Sequence, residues 1–251
     1  MTLIDHPTGN YRFLPGIAPY SCGAVSAAGF EIVHAVFQRP RPYRAGIDRI
    51  AAHLSAVSRP KAALCGIELR SPAPFSFSGF AAFNGEYAAI LKEWGLFVNG
   101  INPVARTNVA PVIQPPSEPV LYGFSYSQPC ARVQPLTFVV AGAGELPEGI
   151  LAAESIVARG DASPAGIKTK AGFVLDLMER RLHGLGADWP MVNAINVYTI
   201  HSLDVILPEL VLCRAGLAGI HGARWHYTRP PITEIEFEMD LRGTRTEVYL
   251  D

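Results

Sequence analysis

The chain has 251 residues, of which 49% are hydrophobic and 17% charged, and its formal net charge is −1. That length suits roughly one large or two ordinary domains of ~100–200 residues each, and the composition excludes a disordered chain. The basic residues are scattered, with short clusters at Arg39-Pro-Arg41 and Glu179-Arg-Arg181, so the electrostatic footprint of a nucleic-acid binder is absent.

The opening Met1-Thr-Leu-Ile-Asp-His lacks a basic start followed by an apolar segment, and no apolar run approaches the ~20 residues that a membrane span needs. A soluble cytoplasmic protein with no membrane partner is expected. Cys22, Cys65, Cys130 and Cys213 lie far apart with no Cys-x-x-Cys pair. They read as small core thiols, not as a metal site or a disulfide framework.

In chain order, residues 24–38 read as a strand carrying Phe30-Glu-Ile-Val-His-Ala-Val-Phe37. Residues 46–57 place Ile47, Ile50, Ala51, Leu54 and Val57 on one helical stripe. A strand at 64–69, an amphipathic helix at 80–94 and a strand at 120–124 follow, with room for a short strand near Arg106. The proline-rich stretch 111–119 reads as the loop before the last strand of this half, and the junction falls within 127–135. Beyond it come a strand at 136–141 ending in Gly142-Ala-Gly144, a long amphipathic helix at 166–185, a strand at 191–200, a helix at 203–215 and a final strand at 232–241. The halves share one order at a period of roughly 110–120 residues, which predicts a duplication with repeats at 1–127 and 128–251. The glycine turn lacks the remaining positions of a dinucleotide fingerprint or a P-loop, and no cofactor or metal is expected.

The octet Asn102-Pro-Val-Ala-Arg106-Thr-Asn-Val109 sets one arginine beside a strand start. A guanidinium there can offer its planar fork of donors to both oxygens of a carboxylate, with Asn102 and Thr107 as neighbouring substrate-binding candidates. The plainer reading is a surface arginine in a loop. On the final strand, Ile235, Phe237, Met239 and Leu241 alternate with Glu234, Glu236, Glu238 and Asp240. That acidic row is either a solvated face or the lining of a pocket or interface with basic partners. Arg70 could reach a site or pair with Glu68 or Glu86, and His201 could shuttle protons or merely sit solvated at a strand end.

Several of these segments resemble the RidA (YjgF) family of imine and enamine deaminases. Ala18-Pro-Tyr-Ser21, Phe83-Asn84 with Tyr87, and Pro103-Val-Ala-Arg106-Thr resemble that family's motifs in the first half. Tyr126-Ser-Gln128, Val139-Val-Ala-Gly142 and Ile235-Glu-Phe-Glu238 do so in the second. Gly222-Ala-Arg224-Trp departs from the family's Pro-Ala-Arg motif, and Leu121-Tyr-Gly-Phe stands where the family strand carries glutamates. Each half thus retains about half of a site.

The resemblance implies an α+β fold of two RidA-like (chorismate-mutase-like) β-α-β-β-α-β domains, each a mixed sheet with two helices on one face. It also implies a homotrimer, six domains forming a pseudo-hexameric ring. The implied function is hydrolytic deamination of a small carboxylate-bearing enamine or imine, such as 2-aminoacrylate or 2-aminomuconate. Arg106 would anchor the substrate carboxylate and Glu236 would position the water, with Tyr20, Asn102, Thr107, Arg224 and Glu238 around the substrate. The sites would be composite, with Arg106 from one repeat and Glu236 from another. Two other readings stand beside it: a chorismatase-like enzyme, suggested by Leu91-Lys-Glu-Trp-Gly with Ile101-Asn, and a non-catalytic trimer that binds a small ligand.

Overall fold

The computed structural model describes residues 2–131 and 135–251. The first half contains β1 (Ile4–His6), β2 (Tyr11–Leu14), β3 (Gly23–Ser26), β4 (Phe30–Pro42), α1 (Tyr43–Ala56), β5 (Leu64–Arg70), α2 (Phe77–Glu93), β6 (Ala105–Pro111) and β7 (Val120–Pro129). The second contains β8 (Phe138–Gly144), α3 (Pro164–Gly184), β9 (Ala194–Thr199), β10 (Arg224–Arg229), β11 (Glu238–Gly243) and β12 (Glu247–Leu250). The first strand expected at 24–38 is therefore two, β3 and β4. Part of the expected junction, residues 132–134, lies outside the described residues.

From β4 to β7 the order is β-α-β-α-β-β, and β8 to β11 repeats it with a broken helical segment in place of the second helix. This corrects the expected β-α-β-β-α-β order. The physical reason is that β5 pairs in parallel with β6, and β9 with β10. A parallel pair needs a crossover connection, which α2 supplies in one half and residues 200–223 in the other. Among the described residues, the strands join in the order β1-β2-β3-β8-β11-β9-β10-β6-β5-β7-β4-β12. The two series β8-β11-β9-β10 and β4-β7-β5-β6 meet end to end through the antiparallel β6–β10 pair.

The halves also lend each other strands. The N-terminal β3 pairs with β8, and the C-terminal β12 runs parallel to β4. Thus the chain is interlaced across the boundary that its element order suggests.

Each half buries one sheet face under helices. In α1, Ile47, Ile50 and Leu54 pack on Leu121, Phe124 and Tyr126, together with Tyr87 and Leu91 of α2. Ser76 caps α2, its hydroxyl accepting from the Gly79 N–H at 3.1 Å. In the second half, Ile167, Ala171, Val174, Met178 and Leu182 of α3 cover Phe138, Val140, Met239 and Leu241. The expected helix at 203–215 is instead a π-helical turn over Leu207–Leu212, three α-helical residues and a 3-10 segment over Gly216–His221. Pro208 at its start and three glycines at 216, 219 and 222 weaken a regular helix there. Among the described residues, no helix is long and apolar enough to cross a membrane. Of the four cysteines, only Cys22 and Cys65 are buried.

Gly46 marks the tightest approach of α1 to the sheet, because a Cβ there would lie 2.7 Å from the Leu121 Cβ. In an open helix, Gly→Ala would gain about 1 kcal/mol of helix propensity. Here overpacking costs about 1–3 kcal/mol and outweighs that gain. Gly46→Ala is therefore expected to lower the midpoint of urea unfolding.

Candidate active site

Strand alternation decides which side chains meet. On β6, Ala105 and Thr107 point between the two sheet halves, while Arg106 points toward α2. On β11, Met239 and Leu241 face α3, so Glu238, Asp240 and Arg242 face inward. Arg242 donates to Glu68 Oε1 at 2.6 Å. Asp240 accepts from Asn196 at 2.6 Å, Tyr198 at 2.7 Å and Thr107 at 2.8 Å.

At one end of this interior lies a cavity of about 280 Å³, lined by Tyr20, Phe80, Arg106, Arg181 and Glu238 among others. Its rim includes Pro15–Ile17, the 142–151 loop and Pro231–Ile232. Arg106 is 3% exposed. Its guanidinium carbon lies 4.5 Å from the Tyr20 ring centre, 5.0 Å from Tyr87 and 5.2 Å from Phe80, an aromatic cage that favours a cation. Nη1 donates to Asn84 Oδ1 at 2.6 Å. Among the described residues no acidic side chain forms an ion pair with it, so a buried cation faces the cavity with donors to spare. Burial pulls its pKa below the ordinary arginine value, but a guanidinium stays charged at neutral pH.

Glu238 and Glu148 are the acids that line this cavity among the described residues, and Glu238 is the more deeply buried. Burial first, and the neighbouring Asp240 second, push its carboxyl up to about 8 against the opposing pull of Arg106 and Arg181. A carboxylic acid that is protonated at neutral pH can donate a proton, as a general acid must. Room for it comes from Gly142, where any Cβ would collide with Glu238 Oε1 and crowd Thr107. Because Asp240 raises the Glu238 pKa, Asp240→Asn is expected to move the alkaline fall of activity to lower pH. A pH–rate profile reads that shift directly.

Asn102 lies beneath the site, its amide donating to Pro19 O at 2.7 Å and its carbonyl accepting from Val104 N at 3.0 Å. It ties the Tyr20 segment to the start of β6. Thr107 is turned to the other face of β6, where it donates to Asp240 and accepts from Gly142 N at 3.1 Å. Both are positioning residues and neither lines the cavity, contrary to the substrate contact expected of them. Arg224 is exposed, 3.8 Å from Glu247, and also lies outside the cavity.

The largest correction concerns Glu236. The strand expected to begin at 232 begins at Glu238. The Glu236 and Phe237 N–H groups instead donate to the Glu145 carboxylate at 2.7 and 3.1 Å, and Glu145 is held by Lys170 at 3.1 Å. Those side-chain acceptors take the place of a strand partner. Glu236 is turned to His201 at 2.7 Å and Arg229 at 3.7 Å, away from the cavity. Glu234 sits in a turn at φ 73° and pairs with Arg159. The expected shuttle His201 is thus a partner of Glu236, and Arg70 pairs with Glu68 at 3.9 Å and stacks on Tyr122.

Arg181 is the member that pattern reading missed. It lies on the stripe Ile167, Ala171, Val174, Met178, Leu182 of α3. A cation repeated on an apolar stripe at helical spacing was the available signal.

A cavity that pairs a caged, unneutralised arginine with a protonated carboxylic acid defines a site for acid–base chemistry on a carboxylate-bearing molecule. The chain belongs to the CnbZ family of 2-aminomuconate deaminases, whose model matches residues 3–248. It is 40% identical over 246 residues to a 2-amino-5-chloromuconate deaminase of Comamonas testosteroni, covering 96% of both chains. Among solved structures, a chorismatase matches 89% of this chain and 77% of its own at 11% identity and a TM-score of 0.48. A presumed endoribonuclease of Thermotoga maritima matches 43% of this chain and 79% of its own at 17% identity and a TM-score of 0.28. Neither structural likeness is close enough to bear on the site.

Proposed function

We propose that this chain is a hydrolytic deaminase of a 2-aminomuconate-type dicarboxylate, and that the Arg106–Glu238 cavity is its active site. Membership of the CnbZ family and the 40% identity to a chloromuconate deaminase support the reaction class. The observation that carries the site is Arg106, a buried cation with one acceptor among the described residues, facing the same cavity as the raised acid Glu238.

In this reading Arg106 takes the carboxylate next to the amino-bearing carbon. The protonated Glu238 delivers its proton to a carbon of the enamine, converting it to the iminium ion. The resulting Glu238 carboxylate accepts a proton from water as the oxygen attacks the C=N carbon, giving the carbinolamine. Glu238 then hands that proton to nitrogen and receives the hydroxyl proton as ammonia leaves. The product is a 2-oxo dicarboxylate, and the acid ends in its starting form. One group can serve as acid and base in turn because its pKa lies near the operating pH.

The composite site expected from two repeats takes a specific form here, with Arg106 from the first half and Glu238 from the second. The doubled strand order supports an origin by duplication. Ammonia release from freshly generated 2-aminomuconate, with equimolar 2-oxo product, is the expected result for the purified protein. Pyruvate release from chorismate without ammonia release would overturn it.

A further inference from the structure

Arg181 is a second buried guanidinium on the same cavity, 7% exposed and carried by the last turns of α3. Its Nε donates to Glu148 Oε1 at 2.6 Å, and its Nη1 donates to the Ala141 carbonyl at 2.9 Å. Nη2 has no oxygen partner among the described residues. The Ala141 and Gly142 carbonyls, which accept from Nη1 at 2.9 and 3.4 Å, hold the guanidinium at one edge, so its remaining donors are preorganised for a planar acceptor.

Glu148 is held far less firmly. Its side chain is 20% exposed, and it stands on the loop between β8 and the 153–155 turn. Apart from Arg181, its only hydrogen-bond partner among the described residues is the Cys22 thiol at 3.6 Å. Ile150 and Leu151, next along this loop, line the cavity and are 44% and 42% exposed. A carboxylate on an exposed loop, resting on a fixed buried arginine, is a counter-ion that an incoming carboxylate can replace.

We propose that Arg181 is a specificity-determining residue that receives the distal carboxylate of a dicarboxylate substrate, and that Glu148 is the exchangeable counter-ion which that carboxylate replaces. This rests on the site assignment above and extends it. Arg106 holds one end of the substrate, Arg181 the other, and Glu238 shares the cavity with both. Selection for a dicarboxylate over a monocarboxylate of equal length would then come from Arg181 alone.

The test uses two unreactive six-carbon dienes, cis,cis-muconate with two carboxylates and sorbate with one, titrated calorimetrically into the intact protein. The wild type is expected to prefer muconate. Arg181→Gln is expected to weaken muconate by about 10- to 100-fold, the range of a lost charge-assisted hydrogen bond, and to leave sorbate unchanged. Glu148→Gln, which removes the competing charge and keeps the shape, is expected to tighten muconate several-fold, again without effect on sorbate. Equal loss of both ligands in Arg181→Gln would overturn the proposal, as would a wild type with no preference. So would weakening of muconate in Glu148→Gln, which would make Glu148 a fixed support. Because binding is the readout, a muconate preference without ammonia release would refute the deaminase reading and leave this one standing.

Discussion

Replacing Arg106 by alanine is expected to lower kcat/KM on 2-aminomuconate by at least ~100-fold, since charge-assisted hydrogen bonds to a buried partner are worth about 1.5–3 kcal/mol each and a carboxylate can engage the guanidinium twice. The fold should survive. Arg106 makes one hydrogen bond, to Asn84, and no ion pair among the described residues, so its removal also relieves a buried charge. Thermal melting is therefore expected within a few degrees of the wild type. Arg106→Lys should recover little activity, because an ammonium cannot present the planar fork. A variant that still binds muconate with wild-type affinity would remove Arg106 from the site.

Glu238→Gln is expected to cut kcat by about 10²–10⁴-fold, the usual contribution of a positioned general acid–base group. The pH profile should change shape as well. In the wild type kcat/KM should fall as pH rises through about 8, where the acid loses its proton, and the glutamine variant should show no such limb. The substitution should affect stability in the opposite sense to activity. The carboxyl starts from 4.5 and is raised in the folded state, so between those values the folded chain holds a proton that the unfolded chain releases. Wild-type stability therefore declines as pH rises through that window. Glu238→Gln has no proton to lose there and should melt higher than the wild type at alkaline pH. Differential scanning calorimetry across the window reads that crossing.

Much of the fold was legible because helix and strand periodicities are local. The stripe Ile47, Ile50, Leu54 located α1, and the apolar run at 64–69 located β5. What escaped depends on contacts distant in sequence. The four residues of β12 carry too short a pattern to announce a strand, and they exist because β4 offers a free edge more than 200 residues earlier. The start of β11 was misplaced because alternation from Ile235 to Asp240 looks the same whether backbone N–H groups bond a strand or the Glu145 carboxylate.

The site was legible to the same degree. Arg106, Tyr20, Asn84 and Tyr87 were visible as motif positions, and the structure gathers all four. The proposed acid, Glu238, stands two residues after Glu236, the expected water-positioning carboxylate, and both residues share a face of the expected strand. Only the break before Glu238 separates them. Arg181 and Glu148 escaped because one lies on a helix read as packing and the other in a loop with no motif.

The most direct measurement is the rate of ammonia release from 2-aminomuconate at neutral pH by the wild type and Glu238→Gln, each with its muconate affinity. Wild-type turnover, a loss of at least ~100-fold in the variant, and muconate binding retained in both are the expected results. Undiminished release by Glu238→Gln would contradict the role of Glu238.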